Sequence, residues 1–371
     1  MKVVIDDGAR IYMQTGYGAL ARAIMRSLNA HSSHDIFRIE QTAPFAPDIR
    51  DQEELLGIPV MKPNHGDMVL RIARPGAFKY KKPAMIYTQH ALSRLPPRWV
   101  ENLQAAQGII VPGRFDLRPF GEHFDRVYTC PQHVDPRVFK PIPRWREEGP
   151  EPFHFFFVGS YSYRKGLDIL WEAFRQAFPD PAEGPVHLSL HCFDGLQGRN
   201  TSHLLEGARS LPSHIGLSCD TSTATAPWMN RFYNRADCVL TFSRGEGWCM
   251  PLHEALLTET PVIAPASTAM GEALPKHGVR RVKVRETLID DPTDPFAASM
   301  QKRYGGNGAM MWEPDLGDAV KALREMRKRH AKYKKGAKKG GEFIRNAYSL
   351  DVMGRRLEEI LNDFERNVVR A

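Results

Sequence analysis

The stretch Asp237-Cys238-Val239-Leu240-Thr241-Phe242, Ser243-Arg244-Gly245-Glu246-Gly247-Trp248-Cys249-Met250, Pro251-Leu252-His253-Glu254-Ala255-Leu256-Leu257-Thr258 decides the reading of this chain. Asp237–Phe242 is an apolar run of the kind found in strands buried on both faces. The two glycines make a loop, and Pro251 suits the first turn of a helix running over Leu252–Thr258. Thr260-Pro261-Val262-Ile263-Ala264 then carries a second buried strand. Strand, loop, helix and strand in that order make a βαβ unit, hence a parallel sheet.

The same alternation extends in both directions. Toward the N-terminus of this half, Phe153–Val158 and Val186–Cys192 read as strands and Gly166–Phe178 as a helix. Further back, Val3–Ile5, Ile36–Ile39, Met68–Ile72, Met85–Thr88, Gly108–Val111 and Arg126–Cys130 are strand-like. Leu20, Ile24, Met25 and Leu28 keep helical spacing between the first two. Pro141–Pro150, dense in proline and charge, interrupts the alternation and reads as an interdomain linker. Residues 275–310 read as irregular, and helical patterns return from Asp315 onward. The expected fold is α/β with two Rossmann-like, doubly wound domains facing across a cleft. They are residues 1–140 and 153–340, joined by 141–152, with helices over 341–371 returning toward the first domain.

The 371 residues suffice for two domains, and 42% hydrophobic with 25% charged residues is ordinary for a globular chain. The net charge of +8 is unevenly placed. Ten Lys/Arg between Lys321 and Lys339 face the single acid Glu325, a window of +9, so the rest of the chain sums to −1. Five scattered cysteines without a C-x-x-C pair fit reduced thiols and a cytoplasmic setting. There is neither a signal-peptide pattern nor an apolar run of membrane-spanning length.

Glu246 in the loop can accept two hydroxyl hydrogen bonds from a sugar, and Glu254, about one turn into the helix, can do the same for a ribose diol. The backbone N–H groups of Gly247, Trp248, Cys249, Met250 and Leu252 lie at a strand–helix junction, which favours anions. Spacing alone equally fits a capped helix with two solvated carboxylates. The segment, however, resembles the E-x7-E element of retaining glycosyltransferases of family four, which have the GT-B fold. Phe156–Ser160 followed by Arg164–Leu170 resembles the opening of that family's second domain. Pro131–Pro141 resembles the end of its first, and Tyr233-Asn234-Arg235-Ala236-Asp237 its Y-x2-A-D. The likeness covers most of residues 108–265.

The resemblance implies that Glu246 contacts the donor sugar, Glu254 the ribose and Lys165 the diphosphate. The family's usual Arg after the first motif's glycine is replaced here by Ser160, and Arg164 is the expected substitute. Two fixed cations suit the charge that grows on a departing nucleoside diphosphate. The resemblance also casts Gly16 and Gly18 as the glycine loop facing the donor diphosphate, and His90 as the strand-end histidine near the reacting sugar. It implies no metal and no cofactor beyond a nucleotide diphosphate-sugar as co-substrate.

A rival reading exists, because Gly16-x-Gly18-x-x-Ala21 with Glu40 also spells a dinucleotide fingerprint, which would make the chain an NAD-dependent dehydrogenase. Against it, the glycines do not directly follow the strand Val3–Ile5. The metal candidates are poor. His31-x-x-His34 lacks companion ligands, and Asp290, Asp291 and Asp294 fall in a proline-rich stretch. Leu323, Met326, His330, Tyr333 and Ala337 space the basic stretch as one amphipathic helix. It can be a solvated face, an attachment to anionic membrane, or a contact to nucleic acid by an enzyme that glycosylates a modified base. The expected activity is metal-independent transfer of a hexose-type sugar, with retention, to an acceptor hydroxyl on a glycan or lipid-linked sugar. The expected location is cytoplasmic, peripheral at the membrane if the basic stretch binds lipid.

Overall fold

The computed structural model describes residues 1–8, 10–12, 15–40, 52–76, 78–143, 151–192, 207–288, 302–304 and 308–371. The candidate acids Asp290, Asp291 and Asp294, and most of the linker (144–150), lie outside the described residues. The chain divides into two compact units, one of Met1–His133, Ile289–Met310 and Asn346–Ala371, the other of Val134–Leu288 and Met311–Arg345.

The first unit is built on a six-stranded parallel sheet of β1 (Lys2–Asp6), β2 (Asp35–Arg38), β3 (Met68–Ile72), β4 (Ala84–Tyr87), β5 (Gly108–Val111) and β6 (Val127–Thr129). The order is β2-β1-β3-β4-β5-β6. Its helices are α1 (Gly16–His31), α2 (Gln52–Gly57), α3 (Pro97–Leu103), α4 (Leu117–Gly121) and, from the chain's end, α11 (Leu350–Phe364). Helix α11 lies against α1. His31 meets Asp351 at 3.0 Å, and the hydroxyls of Ser32 and Ser33 donate to Glu358. Gly354 lets the two helices approach closely, since a Cβ there would come 2.5 Å from the His31 ring and the ring would have to move.

The second unit has its own parallel sheet of β7 (Phe153–Val158), β8 (Val186–His191), β9 (Ile215–Asp220), β10 (Cys238–Leu240), β11 (Val262–Pro265) and β12 (Val279–Val282). The order is β12-β11-β10-β7-β8-β9, in which the sequence direction reverses between β7 and β10. Helices α5 (Leu167–Ala177), α6 (Ala226–Arg235), α7 (Met250–Leu257), α8 (Thr268–Ala273), α9 (Leu316–Lys328) and α10 (His330–Ala347) complete the unit. Phe155, Phe157, Leu170, Phe174, Leu188 and Leu240 form the centre of its core. A β-branched and aromatic run such as Phe153–Val158 is stable here because both sheet faces are covered.

Two expectations are corrected. The region read as irregular, 275–310, contains β12 and β13 (Val284–Leu288), and β13 pairs in a two-stranded sheet with β14 (Met310–Pro314), which starts at that region's last residue. The arginines of β12 and β13 disguised these strands as loop, yet Arg280 is paired with Asp318 at 2.8 Å and Glu325 at 2.8 Å. The basic stretch is two helices, not one. The chain leaves helical geometry at Arg329 (φ −114°, ψ 25°), whose N–H still closes the last turn of α9 on the Glu325 carbonyl.

Candidate active site

In an open parallel sheet, ligands bind beyond the carboxyl ends of the strands at the point where the order reverses. In the second unit that point lies between β7 and β10. The chain leaving β7 forms a turn over Tyr163–Lys165 before α5, and the chain leaving β10 forms the Ser243–Cys249 loop before α7. Topology alone therefore brings Arg164, Lys165 and Glu246 together.

The two loops touch backbone to backbone. Arg244 N–H donates to the Arg164 carbonyl at 2.7 Å, and the Ser243 hydroxyl donates to the same carbonyl at 3.0 Å. Gly166 sits at φ +70°, where a Cβ would lie 2.1 Å from the Phe242 carbonyl oxygen. Only glycine satisfies both the left-handed backbone and the close approach.

Glu246 is the centre of this junction. It is 7% exposed, and its Oε1 lies 2.6 Å from Lys165 Nζ and 3.1 Å from an Arg164 guanidinium nitrogen. Burial pushes its carboxyl up, but the Lys165 and Arg164 charges outweigh this and hold it down at about 2. The cluster keeps one uncancelled positive charge, with both cations only partly covered. Arg164 also donates to the Gly245 carbonyl, and Glu246 N–H donates to the Thr268 hydroxyl at 3.2 Å. Neither α5 nor α7 has a side-chain cap at its start, although Leu252 N–H turns back onto the Cys249 carbonyl at 3.2 Å. Two non-glycine residues beside Glu246 have left-handed backbones, Cys249 (φ 66°) and Thr268 (φ 52°). Such outliers collect at functional loops, where the surroundings over-determine them.

Glu254, eight residues on, is differently placed. Its Oε2 accepts from the buried Tyr233 hydroxyl at 2.6 Å, and burial pushes its carboxyl up to about 7 despite that hydrogen bond. Between the two acids, the Trp248 ring stacks on buried His253 at 5.1 Å, and burial pulls that imidazole down to about 4.

Arg244 carries no role in the sequence reading but proves structurally central. It is 1% exposed and forks onto both Asp168, at 2.6 and 2.9 Å, and Glu313. It also donates to the Tyr163 carbonyl at 2.6 Å and lies 3.7 Å over the Tyr163 ring. Arg244 thus ties the Glu246 loop to the Arg164–Lys165 turn and to β14. Its partners are distant in sequence, and the one hint was an arginine between a buried strand and a glycine.

In the first unit, Thr15 caps α1, its hydroxyl accepting from Gly18 N–H at 3.1 Å. The Gly18 amide is therefore already engaged, and Gly16 is the first helical residue. A short helical turn over Arg10–Tyr12 separates β1 from α1, unlike a dinucleotide fingerprint, in which the glycines follow the strand directly. His90 follows β4 and is buried, with Nε2 2.6 Å from the Arg94 carbonyl and 3.0 Å from the Tyr304 hydroxyl. Its ring also packs edge-on against Trp99. Among the described residues no group of three His, Cys, Asp or Glu is placed to hold a metal ion.

Residues 152–303 match the family model for glycosyl transferases group 1. The chain is 28% identical to the D-inositol 3-phosphate glycosyltransferase of Pseudarthrobacter chlorophenolicus, over 47% of this chain and 44% of that protein. The match thus spans less than half of that relative's length. Sucrose-phosphate synthase from Thermosynechococcus elongatus superposes with a TM-score of 0.67 at 14% identity, covering 98% of this chain and 99% of that one. A glycosyltransferase from Rickettsia africae gives 0.65 at 12% identity, covering 99% and 98%. Anabaena HepE, solved with UDP and glucose, gives 0.59 at 13% identity, covering 98% and 100%. The fold is GT-B, and the second unit carries the likeness to the group 1 glycosyl transferases.

Proposed function

We infer that the protein is a glycosyltransferase taking a nucleoside diphosphate-sugar and passing the sugar, with retention, to an acceptor hydroxyl. The observation that carries this reading is the Lys165–Glu246–Arg164 cluster at the carboxyl edge of β7 and β10. The donor diphosphate lies against Lys165, Arg164 and the N-terminus of α7, spanning Gly247, Trp248, Cys249, Met250 and Leu252. The two cations and the helix dipoles stabilise the charge that develops as the glycosidic bond breaks. Glu246 holds both cations in place and accepts hydroxyls of the donor sugar. Glu254 keeps a carboxyl oxygen for the ribose. The acceptor oxygen attacks from the face the diphosphate leaves, and its proton passes to a phosphate oxygen. No side chain serves as nucleophile, and the mechanism calls on no metal or further cofactor. The UDP and glucose named for Anabaena HepE and the inositol phosphate named for the Pseudarthrobacter relative support a nucleotide-sugar donor and a polyol acceptor.

The test combines a thermal-shift panel of UDP, GDP, ADP and NAD with transfer assays on variants. One nucleoside diphosphate should raise the melting temperature. Lys165→Ala and Glu246→Ala should each lower turnover by about 10²–10³ while folding normally, as expected for removal of a preorganised charge. Stabilisation by NAD alone, or near-normal turnover in either variant, overturns the assignment.

A further inference from the structure

The basic stretch lies outside the catalytic cluster and has no part in the reaction proposed above. Nine of its ten cations between Lys321 and Lys339 are exposed. Its one acid is already engaged, because Glu325 accepts from Arg280 at 2.8 Å and Tyr333 at 2.7 Å and pairs with Arg329 at 3.4 Å. The next acid, Glu342, is exposed three residues after Lys339 and cancels one charge of that face of α10, leaving it positive.

Helix α10 is fixed in one orientation by its small residues. A Cβ on Gly341 would lie 2.4 Å from the Leu256 carbonyl oxygen, and one on Gly340 2.8 Å from that of His277. The helix is thus seated directly on the backbone of α7 and of the turn before β12, with Ala337 and Ile344 buried beside the glycines. Lys332, Lys335, Lys339 and Phe343 recur at spacings of three, four and four, so they share the opposite face. All four are exposed, Phe343 by 45%. At the helical rise they make a stripe about 16 Å long.

We propose that this face of α10 docks on an anionic phospholipid surface, with the three lysines among the phosphates and Phe343 in the interfacial layer. Charge complementarity supplies the attraction, and the aromatic ring gains free energy only where an apolar layer lies beneath the phosphates. The stripe contains no arginine, the side chain whose planar fork reads guanine in a duplex groove. A single convex helix with compact ammonium groups matches a fluid surface of phosphates better than a duplex groove.

The test uses the full chain and sedimentation with vesicles of phosphatidylglycerol in phosphatidylcholine, against phosphatidylcholine alone. The protein should partition to the anionic vesicles and be released by salt. Lys332→Gln/Lys335→Gln/Lys339→Gln should lower partitioning about a hundredfold, from roughly fivefold per lysine. Phe343→Ala should weaken it several-fold and leave the salt dependence unchanged. The melting curve of the triple-lysine variant should match the parent, since the three lysines are exposed, and that of Phe343→Ala should still show a cooperative fold. Equal partitioning of the triple variant, unchanged affinity of Phe343→Ala, or no binding to either vesicle overturns the proposal. So does lysine-dependent binding to duplex DNA without vesicle binding.

Discussion

Glu246 and Glu254 stand eight residues apart on one loop–helix segment, and their surroundings drive them in opposite directions. The loop carboxylate is nearly buried yet held down at about 2, because two cations face it. The helical carboxyl is pushed up to about 7, because burial is opposed only by the Tyr233 hydroxyl. Burial alone would raise both, so the sign is set by what faces each group. The difference teaches that the loop is organised by charge and the helix by a neutral hydrogen bond. Each arrangement can be broken separately.

The largest effect is expected on the loop side. Arg244→Met removes the fork that binds Asp168 and Glu313 and leaves both carboxylates unpaired. Breaking a buried ion pair typically costs more, but Asp168 is half exposed, so the expected loss is about 2–3 kcal/mol. Denaturant titration of the variant would measure it. A loss below about 0.5 kcal/mol would mean that charge does not organise the loop. Because Arg244 also holds the turn carrying Lys165, donor affinity should fall with stability.

That prediction could not have been drawn from the sequence. The β7, β10 and β11 runs were legible because a strand covered on both faces is continuously apolar. Strand β9 was not, since Ile215–Asp220 is half exposed and carries Gly216, Ser218 and Asp220. Strand β12 was hidden because Arg280 and Arg281 point to partners, Asp318 for one and the carbonyls of Met270 and Leu274 for the other. The grouping of Glu246 with Arg164 and Lys165 was legible through the family-like spacing, and the sheet order gives it a physical cause. Arg244 was not legible, for its carboxylates lie 76 residues before it and 69 after. The helix break at Arg329 had no glycine or proline to announce it.

A smaller effect separates the two acids by pH. A carboxyl raised from its ordinary 4.5 to about 7 in the folded chain contributes stability in full below 4.5 and loses it as pH rises through 7. Glu246, depressed to about 2, does the reverse, contributing above 4.5 and losing it as pH falls toward 2. Between pH 4.5 and 7, therefore, only Glu254 of this pair changes its contribution. Glu254→Gln keeps an acceptor for Tyr233 and should be more stable than the parent above pH 7 by about 1–2 kcal/mol. The difference should vanish near pH 4.5. Subtracting the two profiles removes the contributions common to both chains. A constant difference across this range would mean that Glu254 is not raised.

The smallest effect tests the hydrogen bond itself. Tyr233→Phe deletes one donor and keeps the ring packed against Phe139 and Phe156, so stability should fall by about 1 kcal/mol. The phenol is what lowers the Glu254 carboxyl against burial, so its removal should move that titration further upward. Carbon-detected NMR of labelled glutamate would read the shift directly. Glu246, which has no contact with this tyrosine, should titrate unchanged. A downward movement of Glu254 would mean that another cation reaches it, and the helix side would then be organised as the loop side is.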